Sequence, residues 1–114
     1  MRTPLVYLDT SVIGGYFDTE FRDATVQFVD CCRSGHFRPV ISDLVTNELE
    51  GAPEEVQTLL SSPNWPSSQF VRESDESRDL TDAYLNASVL GPRHLDDCRH
   101  VALASVTGAD LLVS

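Results

Sequence analysis

Short apolar runs alternate with helical patterns along the whole chain, and that alternation limits the fold more than any other feature. Residues 4–8 (PLVYL) form a continuous apolar run of strand length that stops at Asp9-Thr10-Ser11. Residues 20–34 place Phe21, Ala24, Thr25, Phe28, Val29, Cys31 and Cys32 on one helical face, with Gly35 as the stop. Residues 37–41 (FRPVI) read as a second strand, in which Pro39 suits a strand start or an edge better than a ladder centre. Ser42 is a natural N-cap for a helix running to residue 50, and Gly51 ends it. Pro53 opens another helix reaching about residue 60. The stretch 61–68 (SSPNWPSS) has loop composition, and residues 69–72 read as a short strand. Leu80, Ala83, Tyr84, Ala87 and Leu90 recur at helical spacing over 77–90, until Gly91-Pro92 breaks the pattern. Residues 95–107 form a helix rich in small side chains, capped by Gly108, and 109–113 (ADLLV) form a last strand. Strands that alternate with helices predict an α/β chain with a mainly parallel sheet. Ligands of open parallel sheets gather outside the carboxyl ends of the strands, which is where Asp9 follows the first one.

Length and charge narrow the function classes. A chain of 114 residues suits one domain rather than two. There are 18 acidic residues against 8 basic ones, and every basic residue is Arg. The net charge of −10 argues against a broad electrostatic grip on nucleic acid. It suits a basic protein partner, or an acidic site neutralised by cations. The absence of Lys counts against a P-loop, a Schiff-base enzyme and a phospho-acceptor receiver. Cys31, Cys32 and Cys98 have neither zinc-finger nor C-x-x-C spacing, so reduced, buried thiols in a cytoplasmic protein are expected. No apolar run approaches the roughly 18 residues of a membrane span. The N-terminus carries no signal-peptide pattern, so a membrane or secreted protein is not expected.

Three acids stand out by position. Asp9 follows the first strand, Glu48 lies on the helix after the second, and Asp97 opens the small-residue helix. Carboxylates brought together repel one another, and a divalent cation reverses that cost. Mg²⁺ and Mn²⁺ favour carboxylate oxygens and can activate water for phosphodiester hydrolysis. Each acid also has a plainer reading. Asp9 can cap a turn whose helix begins at Thr10 or Ser11. Glu48 can be a solvated helix residue like Glu50. Asp96 and Asp97 suit the positive end of a helix dipole. His100 shares the Asp97 face and reads as a packed or hydrogen-bonded helix residue in preference to a metal ligand.

The local wording adds a further expectation. The segments Leu8-Asp9-Thr10-Ser11-Val12, Glu48-Leu49, Asp97-x-x-His100-x-Ala102-x-Ala104 and Gly108-Ala109-Asp110-Leu111-Leu112-Val113-Ser114 occur in order over nearly the whole chain. Together they resemble the PIN-domain family, with the closest likeness to VapC-type toxin ribonucleases of type II toxin–antitoxin pairs. The resemblance implies a three-layer α/β/α fold, a Mg²⁺- or Mn²⁺-dependent endoribonuclease, an RNA substrate and a cognate antitoxin partner. It implies that Asp9, Glu48 and Asp97 are the catalytic, metal-binding acids. It gives Thr10 and Ser11 the role of hydroxyls that help hold water or metal. Such domains usually carry a fourth acidic or amide residue just past a Leu-Val-Ser strand end. The expectation here is therefore a PIN-like domain over residues 1–114 that lacks the usual C-terminal segment. Core surface left uncovered by that segment would favour self-association, a homodimer for instance. Arg2, Arg38, Arg93 and Arg99 are the candidates to grip an RNA backbone.

Two other readings compete. A haloacid-dehalogenase-type phosphatase also begins with Asp after a first strand. It needs a second Asp two residues on, where this chain has Ser11, and it needs a Lys. The other is a PIN-like binding module without catalysis.

Overall fold

The computed structural model describes residues 3–63, 65–66, 68–87 and 95–113. Four strands form one sheet: β1 (Leu5–Leu8), β2 (Arg38–Ser42), β3 (Gln69–Val71) and β4 (Leu111–Val113). All three strand pairings are parallel, in the order β3-β2-β1-β4. The helices are α1 (Thr10–Gly15), α2 (Arg22–Arg33), α3 (Asp43–Glu48), α4 (Glu54–Leu59), α5 (Asp75–Asn86) and α6 (Leu95–Thr107). A 3₁₀ turn, Leu49–Gly51, extends α3.

Burial on both faces makes this a three-layer α/β/α fold. Successive side chains of β1 point to opposite faces. Val6 and Leu8 pack with Ile13 of α1, Val29 of α2 and Leu59 of α4. Leu5 and Tyr7 pack with Val40, Leu44, and Leu103 and Ala104 of α6. All four β1 residues are buried, which explains why the run is continuously apolar and not alternating. Burying each such side chain contributes roughly 2 kcal/mol.

Pro39 shows how the ladder tolerates an imino acid. The Arg38 N–H donates to Pro4 O at 2.8 Å, toward β1, so the next residue's nitrogen faces the opposite side. Pairing with β3 starts only at Val40, so Pro39 lacks an N–H where no ladder bond is due.

The sequence expectations match this frame at most elements. Ser42 caps α3, its Oγ accepting from the Val45 N–H at 3.4 Å. Gly108 follows α6 at φ 79, the left-handed region that glycine enters without a Cβ clash. Three details differ. The helix read as following Asp9 is a short one of six residues, Thr10–Gly15. Helix α5 begins at Asp75, two residues earlier than expected, because Ser74 and Ser77 form a reciprocal capping box. Pro53 is the N-cap of α4 and not its first helical residue. The expected continuation of α5 to residue 90 and the Gly91-Pro92 break lie outside the described residues. Cys32 and Cys98 are buried and Cys31 is half-buried, all as free thiols. Burial pushes the Cys32 thiol up to about 11. No described helix is long and apolar enough to cross a membrane.

Candidate metal centre

Strand order sets the location. The chain runs from β1 outward through β2 to β3, then returns to place β4 on the other side of β1. The carboxyl end of β1 is therefore a topological switch point, where open α/β sheets leave a crevice. Asp9 sits there, its N–H donating to Val113 O of β4 at 3.0 Å. It occupies the N-cap position of α1, but its side chain makes no capping hydrogen bond. The turn-cap reading of Asp9 thus holds for the backbone and not for the carboxylate.

That carboxylate faces a neighbour from each of two other elements. Glu48, the last residue of α3, places Oε1 2.9 Å from His100 Nε2. Asp9 Oδ1 stands 3.8 Å from the same nitrogen. One ligand atom from each of Asp9, Glu48 and His100 lies within 4.8 Å of the other two. Thr10 Oγ1 donates to Glu48 Oε2 at 2.5 Å, which fixes the second carboxylate oxygen. Glu48 is exposed, as the solvated-helix reading expects, and is also hydrogen-bonded to Thr10 and His100.

His100 is held from behind. It is 2% exposed, and Tyr7 and Ser42 are wholly buried beside it. The Tyr7 hydroxyl lies 2.7 Å from His100 Nδ1 and 2.7 Å from Ser42 Oγ. The two rings also meet edge to face, with centroids 5.7 Å apart. A chain of hydrogen bonds therefore runs Ser42–Tyr7–His100–Glu48–Thr10. Desolvation raises the Tyr7 phenol pKa far above its ordinary value, and Asp9, Glu48 and Asp43 add to the rise, so the hydroxyl keeps its proton.

The donor set suits a divalent cation. At metal–ligand bonds of about 2.1 Å, adjacent donors of an octahedral shell stand about 3 Å apart and opposite donors about 4.2 Å apart. The 2.9 and 3.8 Å separations fall in that window. Two carboxylates also supply the negative charge that a dication balances.

Asp97, the third acid of the sequence expectation, lies three residues before His100 on α6. The third member of the group is His100, and the Asp97 carboxylate is not part of it. Asp97 is exposed in the first turn of α6, three residues or about 4.5 Å of helix rise before His100. The buried imidazole packs on Tyr7 and stands 3.8 Å from Asp9 Oδ1. Ser11 is exposed and lines an apolar groove of about 640 Å³ with Val12, Phe21, Phe28 and Val113, one residue beyond Thr10.

Of the arginines offered for RNA contact, Arg99 is committed elsewhere. Its Nε and Nη2 donate to the two Glu73 carboxylate oxygens at 3.0 and 2.6 Å. Arg38 is exposed, with Nε donating to Thr3 O at 3.3 Å. Arg2 and Arg93 lie outside the described residues. Sequence reasoning missed Tyr7 and Ser42 as parts of the site. The available signal was a lone phenol in an apolar strand, which needs a hydrogen-bond partner once buried. No protein-family model and no curated protein matches this chain.

Proposed function

We propose that this protein is a Mg²⁺- or Mn²⁺-dependent endoribonuclease, the toxin component of a type II toxin–antitoxin pair. The observation that carries the reading is the meeting of Asp9, Glu48 and His100 at the switch point of a parallel sheet. The motif order and the resemblance to PIN-domain toxins support the RNA substrate and the antitoxin partner.

Asp9 and Glu48 would hold the cation, with His100 as the third donor. When bound, the cation supplies an activated water and positive charge for the scissile phosphate. The protein residues do the positioning. Thr10 fixes one Glu48 oxygen, so the other is presented toward His100 and Asp9. Tyr7 fixes the imidazole from its far side. The protein carries a net charge of −10, so local cationic charge is what permits a polyanion to approach this face.

The test is Mn²⁺-dependent cleavage of a structured RNA pool by the intact chain beside its Asp9→Asn variant. Cleavage that disappears in the variant supports the nuclease. A folded, Mn²⁺-loaded chain that cuts no RNA favours a PIN-like binding module without catalysis.

A further inference from the structure

We infer that His100 is a metal ligand in its own right, positioned by Tyr7, and that it makes this centre prefer Mn²⁺ over Mg²⁺. The inference rests on the metal centre proposed above and deepens it.

The first argument is donor chemistry. Mg²⁺ is a hard ion that favours oxygen and keeps its waters. Imidazole nitrogen suits first-row transition ions better. A centre of carboxylates alone would discriminate little between Mg²⁺ and Mn²⁺. Here one of the three converging donors is Nε2 of a ring that is 2% exposed and aimed between Asp9 and Glu48.

The second argument is orientation. A ligating imidazole usually gives its other N–H to a fixed partner, which sets the tautomer and the ring plane. Tyr7 is that partner, at 2.7 Å from Nδ1, and Ser42 continues the chain at 2.7 Å. Both hydroxyls donate and accept. Without metal, Tyr7 can donate to Nδ1 while Nε2–H donates to Glu48. With metal, Nδ1–H donates to the Tyr7 oxygen, Tyr7 O–H donates to Ser42, and the Nε2 lone pair is released to the ion. The relay serves either tautomer with no ring movement, the Tyr7–Ser42 hydrogen bond reversing its direction between the two.

Two solution measurements on the full chain decide the matter, and neither uses RNA. The first is electron spin-echo spectroscopy of the Mn²⁺-loaded protein. A nitrogen coupling that His100→Gln removes is the expected result. Mn²⁺ bound with no nitrogen coupling overturns the inference. The second is a pair of binding isotherms, for Mn²⁺ and for Mg²⁺. His100→Gln is expected to weaken Mn²⁺ binding about tenfold or more and Mg²⁺ binding less than about threefold. Tyr7→Phe is expected to weaken Mn²⁺ about tenfold while keeping the nitrogen coupling, as a positioning residue should. Equal losses for both ions in His100→Gln overturn the preference. Nitrogen-coupled Mn²⁺ in a chain that cuts no RNA leaves this inference standing and removes only the nuclease. Cleavage supported by Mn²⁺ that has no nitrogen coupling does the reverse.

Discussion

Two polar clusters share helix α6, one built on Arg99 and the other on the next residue, His100, and they differ in charge balance. In the first, Arg99 makes a two-point ion pair with Glu73 and a longer contact of 3.4 Å with Asp96. The Glu73 side chain is 8% exposed, and its negative charge is met at close range. In the second, two carboxylates face one imidazole, and no Arg among the described residues lies within ion-pair reach of Asp9 or Glu48. A cluster that exists for stability closes its own charge, as buried ions must. The surplus negative charge of the second cluster is what the proposed cation would balance. The chain has Arg residues available to neutralise Asp9 and Glu48, and the fold spends Arg99 on Glu73.

The sharpest way to break this contrast is to neutralise one member of each cluster. Asp9→Asn is expected to reduce RNA cleavage at least about a thousandfold, the scale of losing a metal's charge stabilisation. Its melting temperature should not fall, because the change relieves like-charge repulsion. Saturating Mn²⁺ should stabilise the parent, by about 2.7 kcal/mol at a hundred times Kd, and should do far less for the variant. A variant that cuts as fast as the parent would remove Asp9 from the chemistry.

Arg99→Gln tests the other cluster. It leaves the Glu73 carboxylate without its cation, at an expected cost of about 2–3 kcal/mol in urea unfolding, with Mn²⁺ binding unchanged. Lost Mn²⁺ affinity with stability intact would erase the distinction between the two clusters.

The comparison also has a pH signature. The Arg99 hydrogen bonds hold the Glu73 carboxyl below its ordinary value of 4.5. A carboxyl depressed in the folded state contributes stability that is fully present above the unfolded pKa and is lost as pH falls through the folded one. The parent's advantage over Glu73→Gln should therefore be about 1–2 kcal/mol near neutrality and shrink as acid is added below the ordinary carboxyl range. A difference that stays constant from neutral pH to acid would show that the glutamate acts by shape and not by charge.

How much of this was legible beforehand depends on the range of the signal. The strands, α2 and α6 are written in local apolar periodicity and in glycine stops, and the parallel layered fold follows from their alternation. Asp9 was legible because it follows a strand end, and Glu48 because it lies on the helix after the next strand. Helix α1 was legible only through its cap position at Asp9, because six residues with two glycines carry too little periodicity. The described residues 61–63, 65–66 and 68 are turn and loop, as composition indicates, yet Trp65 among them reaches the core, 6% exposed. No local pattern shows that packing. The meeting of His100 with Asp9 and Glu48 depends on a tyrosine 93 residues away in sequence, and such contacts appear only after folding.

The smallest expected effect sits at the edge of the metal centre. Thr10 touches none of the ligand atoms that converge on the site; it donates to the Glu48 oxygen on the far side. Thr10→Val keeps the shape and removes one hydrogen bond to a charged group in an exposed setting. About 1 kcal/mol is at stake, which corresponds to roughly a fivefold loss of cleavage rate or of Mn²⁺ affinity. Thr10→Ser should restore most of it, because the hydroxyl and not the methyl makes the contact. If Val and Ser variants behave alike, Glu48 is oriented by α3 itself, and the surplus charge at the crevice is set by backbone geometry alone.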